Sequence, residues 1–327
     1  MNHKIFHLPF NPGAMFILSL LLWARGAYGQ PPQPKDGKKG EVTFFIVSDM
    51  HYGVNDSIGR INGKIIDEMN GLQGKWFASD SVVFQVGKPA GVVVTGDLTD
   101  AATAAQWAQY SSIMKPDGRG SLHYPVYDGF GNHDGPIEGP VRRGLRARNA
   151  ARRGLSSLSP DSVHYSWDWG DAHFVQLNLY PGNRWVDSCE WCHYFKTSFR
   201  EPQNSLDFLE RDLEAHVAKS GRPVILFSHY GFDAWGVKWW TRPERARLLE
   251  VVRKYHVIAY FFGHTHQYER GDWNGIPYFC VGSSQKQIRP GEFVVVRLHD
   301  RKMYVAVREV GRWKELSVID IKDYKNK

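Results

Sequence analysis

Asp49 and His51 stand two residues apart where an unbroken apolar run, Phe44-Phe45-Ile46-Val47, gives out. A carboxylate and an imidazole emerging together from a buried strand can both point at one cation. D-x-H pairs arise often by chance, and a lone buried histidine is more often a hydrogen-bonded core residue than a ligand. The weight therefore rests on repetition. Asp97 follows Val92-Val93-Val94, and Asn132 and His133 follow an apolar stretch that begins at Tyr124. His229 follows Val224-Ile225-Leu226-Phe227, and His264 and His266 follow the run from Val257 to Phe262. These are oxygen and nitrogen donors with no thiolate among them, which suits Mn, Fe or Zn better than Ca or Mg. Asp49, His51, Asp97, Asn132, His229, His264 and His266 are too many ligands for one ion. They are about right for two ions that share a carboxylate.

Something must bring these positions together. Short apolar runs read as strands buried on both faces, as in a parallel sheet. Parallel strands deliver their loops to one edge, so ligands far apart in sequence converge there. The spacing of Ile58, Ile61, Ile65 and Met69 predicts a helix after the first strand, and alanine-rich 101–114 a second. Leu206, Leu209, Leu213 and Val217 give another helical stripe, and 243–255 one more. Residues 163–169 and 172–179 read as a strand pair turning at Gly170-Asp171, and the tail as further strands at 276–281, 293–298 and 303–309. Glycines at 96, 131 and 263 suit tight turns just before the ligands. The layout is strand–helix alternation followed by antiparallel strand, one domain of mixed α/β layers.

Ser48-Asp49-Met50-His51, Gly96-Asp97-Leu98-Thr99-Asp100, Gly131-Asn132-His133-Asp134, Ser228-His229 and Gly263-His264-Thr265-His266 resemble, in order and spacing, the motifs of calcineurin-like metallophosphoesterases. The resemblance runs from about residue 42 to about residue 285. It implies a four-layer α/β/β/α sandwich with mixed sheets and a two-metal site at the sheet edge. Carried over by motif, Asp49, His51 and His266 would hold one ion, Asn132, His229 and His264 the other, and Asp97 would bridge. His133 would stand beside the leaving group, oriented by Asp134. Two divalent ions of this kind, about 3.5–4 Å apart, bind phosphate oxygens and generate the attacking hydroxide. The implied activity is hydrolysis of a phosphomonoester or phosphodiester. The purple acid phosphatase branch carries a tyrosine three residues after the bridging aspartate. Here that place is Asp100, which argues against a phenolate–iron(III) centre. The competing reading is a non-catalytic binding protein on the same fold, and it would show first as missing ligands. None is missing.

Of the 327 residues, 42% are hydrophobic and 14% aromatic, enough for a substantial core. Residues 1–29 hold Lys4 and Arg25, no acid, and an apolar block from Ala14 to Trp23, the pattern of a secretory signal peptide with cleavage after Gly29. Ten apolar residues fall short of the ~20 that a spanning helix needs. Residues 30–40 read as a polar Pro/Gly linker and 41–327 as a single catalytic domain with a β-rich C-terminal segment. The expected location is secreted or periplasmic. The net charge of +7 falls to +5 once Lys4 and Arg25 are removed, a balance that favours anionic partners, and no nucleic-acid-binding motif accompanies it. In an oxidising compartment Cys189 and Cys192 are close enough in sequence to pair, while Cys280 reads as a buried free thiol.

Three further clusters invite a role. Arg142, Arg146 and Arg153 share a helical face and could grip a distal phosphate, against the alternative of a solvated basic helix. Trp185, Trp191, Trp235, Trp239 and Trp240 could wall a pocket or pack as a satellite core. Tyr230 and Tyr268 each follow within two residues of a ligand histidine and could support it.

Overall fold

A computed structural model describes residues 40–78, 82–183, 201–218, 220–232 and 240–322. The expected signal peptide, linker residues 30–39, the Cys189–Cys192 pair and Trp185, Trp191, Trp235 and Trp239 lie outside the described residues.

The first apolar run forms strand β1 (Val42–Val47), every residue of it buried. Helix α1 (Ile58–Asn70) follows, then a short hairpin, β2 (Trp76–Ala78) and β3 (Val83–Gln85). Next come β4 (Pro89–Thr95), α2 (Ala104–Ile113), β5 (Val126–Gly129) and α3 (Pro140–Ala151). Strands β6 (Leu155–Leu158), β7 (Tyr165–Trp169) and β8 (Ala172–Gln176) lead to α4 (Ser205–His216). The chain continues through β9 (Val224–Phe227), α5 (Arg242–Val252) and β10 (Val257–Phe262). Strands β11 (Glu269–Trp273), β12 (Ile276–Cys280), β13 (Glu292–His299), β14 (Lys302–Glu309) and β15 (Arg312–Asp320) complete it.

Two mixed sheets carry all of these strands but β2 and β3, which pair with each other. One runs β15-β14-β13-β1-β4-β5, the other β11-β12-β10-β9-β8-β7-β6. In the first, β1, β4 and β5 are parallel and β13 joins β1 antiparallel. In the second, β8, β9, β10 and β12 are parallel, with antiparallel strands at either flank.

Side-chain alternation along each strand builds the layers. Phe44, Ile46 and Val93 join Ile225, Phe227, Phe174 and Trp167 in one core between the sheets. The Phe44 ring meets Phe174 edge-on at 5.3 Å and Phe227 at 6.4 Å. Their neighbours Phe45, Val47, Val92, Val94, Val224 and Leu226 turn the other way, into a core shared with the helices. Tyr110 of α2 and Arg148 of α3 bond Asp128 on β5, and Asp212 of α4 takes the Ser166 hydroxyl of β7. The result is the expected α/β/β/α sandwich. The hairpin β2–β3 and strands β6, β11 and β15 extend beyond the strands expected from sequence.

Candidate metal centre

The ligand-bearing residues sit in the loops that leave β1, β4, β5, β9 and β10, all at one edge of the double sheet. These loops are tied to each other through the backbone. Asp49 N–H donates to Gly96 O at 3.1 Å, His51 N–H to Asp97 O at 3.0 Å, and Gly263 N–H to His229 O at 3.0 Å. Asp49, His51, Asp97, His264 and His266 all have positive φ, between 44° and 80°. Five such residues in one site are a concentration of backbone strain of the kind found where function demands a particular side-chain direction.

Two groups of donors form around Asp97. Asp49, His51, Asp97 and His266 approach one another closely enough to share an ion, as do Asp97, His229 and His264. In the first group His51 Nε2 faces His266 Nε2 at 3.0 Å, and His266 Nε2 lies 3.4 Å from Asp49 Oδ1. In the second, His229 Nε2 is 3.0 Å from Asn132 Oδ1. Asp97 Oδ2 serves both, 3.6 Å from His51 Nε2 and 3.3 Å from His229 Nε2. The structure thus brings together all seven residues singled out as metal ligands.

The donor set fits a cation. Asp49 Oδ1 is buried without a hydrogen-bond partner among the described residues, a costly state for a carboxylate oxygen unless a positive charge completes it. His229 donates from Nδ1 to Thr95 O at 3.0 Å, which leaves Nε2 as the free lone pair. Asp97 Oδ1 accepts from His133 N–H at 2.8 Å, and Asp49 Oδ2 from His264 N–H at 3.1 Å, so each carboxylate keeps its other oxygen for the centre.

The electrostatics are dominated by the buried pair of Asp97 and His229. Burial would lower His229 and raise Asp97. Their mutual attraction wins at both, pushing His229 up to about 9 and holding Asp97 well below the usual carboxylate range. Burial, reinforced by the His229 charge, brings His264 down to about 3. His51 is lowered by burial despite Asp97 and Asp49.

The glycines work differently from expectation. Gly96 does turn with φ +114°, and a Cβ there would also strike His229 Nδ1 at 2.6 Å. Gly131 and Gly263 have no positive φ and are needed for space instead. A Cβ at 131 would lie 2.2 Å from Asp97 Oδ1, and one at 263 would lie 1.9 Å from Ser48 Oγ.

His133 lines an open cleft of about 430 Å³ together with His51, Val54, Asp100, His266 and Lys286. Its ring is not oriented by Asp134, contrary to the motif-based assignment. Asp134 is fully buried, and its oxygens accept from Leu98 N, Thr99 N, Thr99 Oγ1 and Gly131 N at 2.8–3.1 Å. With both oxygens engaged, it braces the two loops that carry Asp97 and Asn132. The partner of His133 Nδ1 is the carbonyl of Asp100 at 2.8 Å. Asp100 Oδ1 also stands 3.6 Å from His51 Nδ1.

The three arginines do not share one fate: Arg153 lies beyond the end of α3 and is exposed, Arg146 is half-buried, and Arg142 is buried. Arg142 is fully buried with its guanidinium 4.0 Å over the Phe130 ring, and burial brings it down to about 10. Arg148 bonds Asp128 Oδ2 at 2.9 Å and Met114 O at 2.9 Å, and Arg152 bonds Val126 O at 2.7 Å. Arg146 bonds Asp161 O and Glu138. These bonds fasten α3 to β5 and its neighbours. Trp240 is buried against Phe232, Tyr180 and Tyr260 as part of the main helix-side core. Tyr230 does support a ligand, its ring meeting His264 edge-on at 4.6 Å. Cys280 is a buried free thiol and donates to Gly263 O at 3.1 Å, beneath the loop of His264 and His266. Lys286, which lines the cleft, was not singled out from sequence, because no motif surrounds it.

The family model of calcineurin-like phosphoesterases matches residues 42–268. Among solved structures, a dimetal phosphatase from Danio rerio superposes with a TM-score of 0.60 at 15% identity, covering 86% of this chain and 99% of that one. GAP50, the anchor in the inner membrane complex of Plasmodium, gives 0.52 at 13% identity over 88% of this chain and 91% of that one. At these identities the likeness is one of fold. No curated protein matches the chain.

Proposed function

The chain belongs to the calcineurin-like phosphoesterase family, and from that premise we propose that it hydrolyses a phosphate ester, monoester or diester, at a two-ion centre. Asp49, His51 and His266 would hold one ion and Asn132, His229 and His264 the other, with Asp97 shared between the two groups. The observation that carries this reading is the single oxygen Asp97 Oδ2, which lies 3.6 Å from His51 Nε2 and 3.3 Å from His229 Nε2 and so belongs to both donor groups. Its other oxygen is fixed by the His133 N–H, which leaves Oδ2 for the shared position.

Two divalent ions of the Mn, Fe or Zn type would supply Lewis acidity for the phosphoryl oxygens and bring the attacking water's pKa towards neutrality. The protein's own part is to hold the ester in line and to protonate the leaving oxygen. His133 is suited to that proton. Its Nδ1 is engaged by the Asp100 carbonyl, its ring borders the open cleft, and its side chain is 43% exposed. Although burial opposes it, the Asp97 charge and the Asp100 carbonyl raise its pKa, which keeps a proton available. The reading extends to location. An N-terminal segment with the make-up of a signal peptide supports a secreted or periplasmic enzyme.

Chelation should abolish turnover of p-nitrophenyl phosphate and bis(p-nitrophenyl) phosphate, and Mn, Fe(II) or Zn should restore it. Asp97→Asn should cost at least about 100-fold in kcat. Full metal-dependent turnover by Asp97→Asn or His229→Ala would sink the assignment. The ratio of the two substrates' kcat/KM decides between monoester and diester.

A further inference from the structure

We propose that Lys286, with Arg289 beside it, forms an anion subsite on the rim of the metal centre, so that the preferred ester carries a second phosphate-like group. The inference takes the reacting phosphate's position from the hydrolase reading above, and its own test includes a binding measurement that does not depend on turnover.

Lys286 sits on a turn that is fastened to the metal loops. Gln285 and Pro290 close it by a β-bridge, and Lys286 N–H donates to Arg289 O at 2.9 Å. Gln285 Oε1 accepts from Gln287 N–H at 2.6 Å, and Asn55 Nδ2 donates to Gln287 O at 3.2 Å. Just before the turn, Ser283 Oγ donates to the Asp49 carbonyl at 2.8 Å. The turn therefore cannot drift from the ligands without breaking several bonds.

The ammonium is anchored beside the centre. Lys286 Nζ donates to the carbonyl of His266, a residue of the first ligand group. An ammonium has three donors, so two remain. Lys286 lines two adjoining hollows. One is the metal cleft itself; the other, about 280 Å³, is lined also by Arg289, Glu292, Glu309 and Lys314.

Charge in the second hollow does not cancel evenly. Lys314 is paired with Glu292 at 2.6 Å, and Arg312 with Glu309 at 2.7 Å. Lys286 and Arg289 are left without a carboxylate partner among the described residues. The remaining acid of the metal cleft, Asp100, lies close to His51 and His133. The second hollow, where Lys286 and Arg289 stand together, lies beside the cleft that a phosphate on the ligand groups would occupy. A second anion on the same molecule would match Lys286 and Arg289, through hydrogen bonds of the charge-assisted kind.

Two chromogenic diesters isolate that group: thymidine 5′-(p-nitrophenyl phosphate) and the same ester carrying a 3′-phosphate. In the wild-type metal-loaded enzyme the extra phosphate should lower KM about ten-fold or more at low salt, the size of one hydrogen bond to a charged group. Lys286→Gln should close that gap, Lys286→Arg should keep it, and Arg289→Gln, at an exposed side chain, should narrow it. Calorimetric titration of the same proteins with thymidine 5′-monophosphate and thymidine 3′,5′-bisphosphate should give the same ranking of affinities. If neither these esters nor p-nitrophenyl phosphate is cleaved but the bisphosphate still binds more tightly and Lys286→Gln removes that preference, the hydrolase reading fails and the subsite stands. Equal wild-type affinities, or a preference unchanged in both Lys286→Gln and Arg289→Gln, overturn the subsite.

Discussion

His133 and Asp134 are neighbours in sequence with separate tasks. His133 reaches the cleft because the Asp100 carbonyl fixes its Nδ1, while Asp134 is turned inward onto four donors. The two roles predict different mutant signatures. His133→Gln should slow an alkyl phosphate ester by about 10²–10⁴-fold, because an alkoxide leaves poorly without a proton. The same change should cost far less with p-nitrophenolate, which leaves without one. Equal losses across leaving groups would rule out the proton-donor role. Asp134→Ala should instead act on stability, by several kcal/mol, since it strands buried N–H groups worth about 1–3 kcal/mol each. A denaturation midpoint measured on the metal-free protein separates the two effects.

At the scale of elements, β1, β4, β9 and β10 could be read from sequence because buried parallel strands carry unbroken apolar runs, and β5 could be read although Asp128 interrupts it. Helix α1 could be read from its apolar stripe. The strands that escaped notice are of another kind. In β11, Glu269, Arg270 and Asp272 are exposed, and β15 exposes Arg312, Lys314, Val318 and Asp320. Edge strands are held by backbone pairing more than by burial, and so leave little hydrophobic trace. The arginines of α3 were misread for a related reason: spacing reveals a face but not what that face meets. A second polar cluster joins α4 to its sheet. His173 of β8 is buried between Asp168 at 2.7 Å and Asp212 at 2.8 Å, with Arg222 on Asp168 at 2.9 Å and the His216 ring stacked nearby. Burial alone would lower His173, but its two carboxylate bonds prevail and raise it. A raised folded-state pKa contributes stability that is fully present below the unfolded value of about 6.5 and is lost as pH rises through the folded value. Wild-type unfolding free energy should therefore fall over that interval more steeply than that of His173→Gln. Parallel pH profiles in the metal-loaded proteins would refute the assignment.

For the molecule as a whole, two mixed sheets with an aromatic interior form a rigid platform whose one edge carries the chemistry. Phe44 lies at the middle of that interior, against Trp169, Phe174 and Phe227. Phe44→Ala should cost about 3–5 kcal/mol in denaturant unfolding, the usual range for a buried phenylalanine. A loss below about 1 kcal/mol would mean that the sheets close over the gap. The ligand set could be read because each ligand follows such a strand. Lys286 could not, because a turn and not a motif brings it to the rim. The positive φ of Asp49, His51, Asp97, His264 and His266 has a genetic consequence. Asparagine, like aspartate and histidine, accepts that backbone geometry readily. One base change converts a codon for either residue into one for asparagine. A gene for this protein is therefore a single nucleotide away, at any of five positions, from a product whose backbone is accommodated and whose carboxylate or imidazole is replaced by a neutral amide.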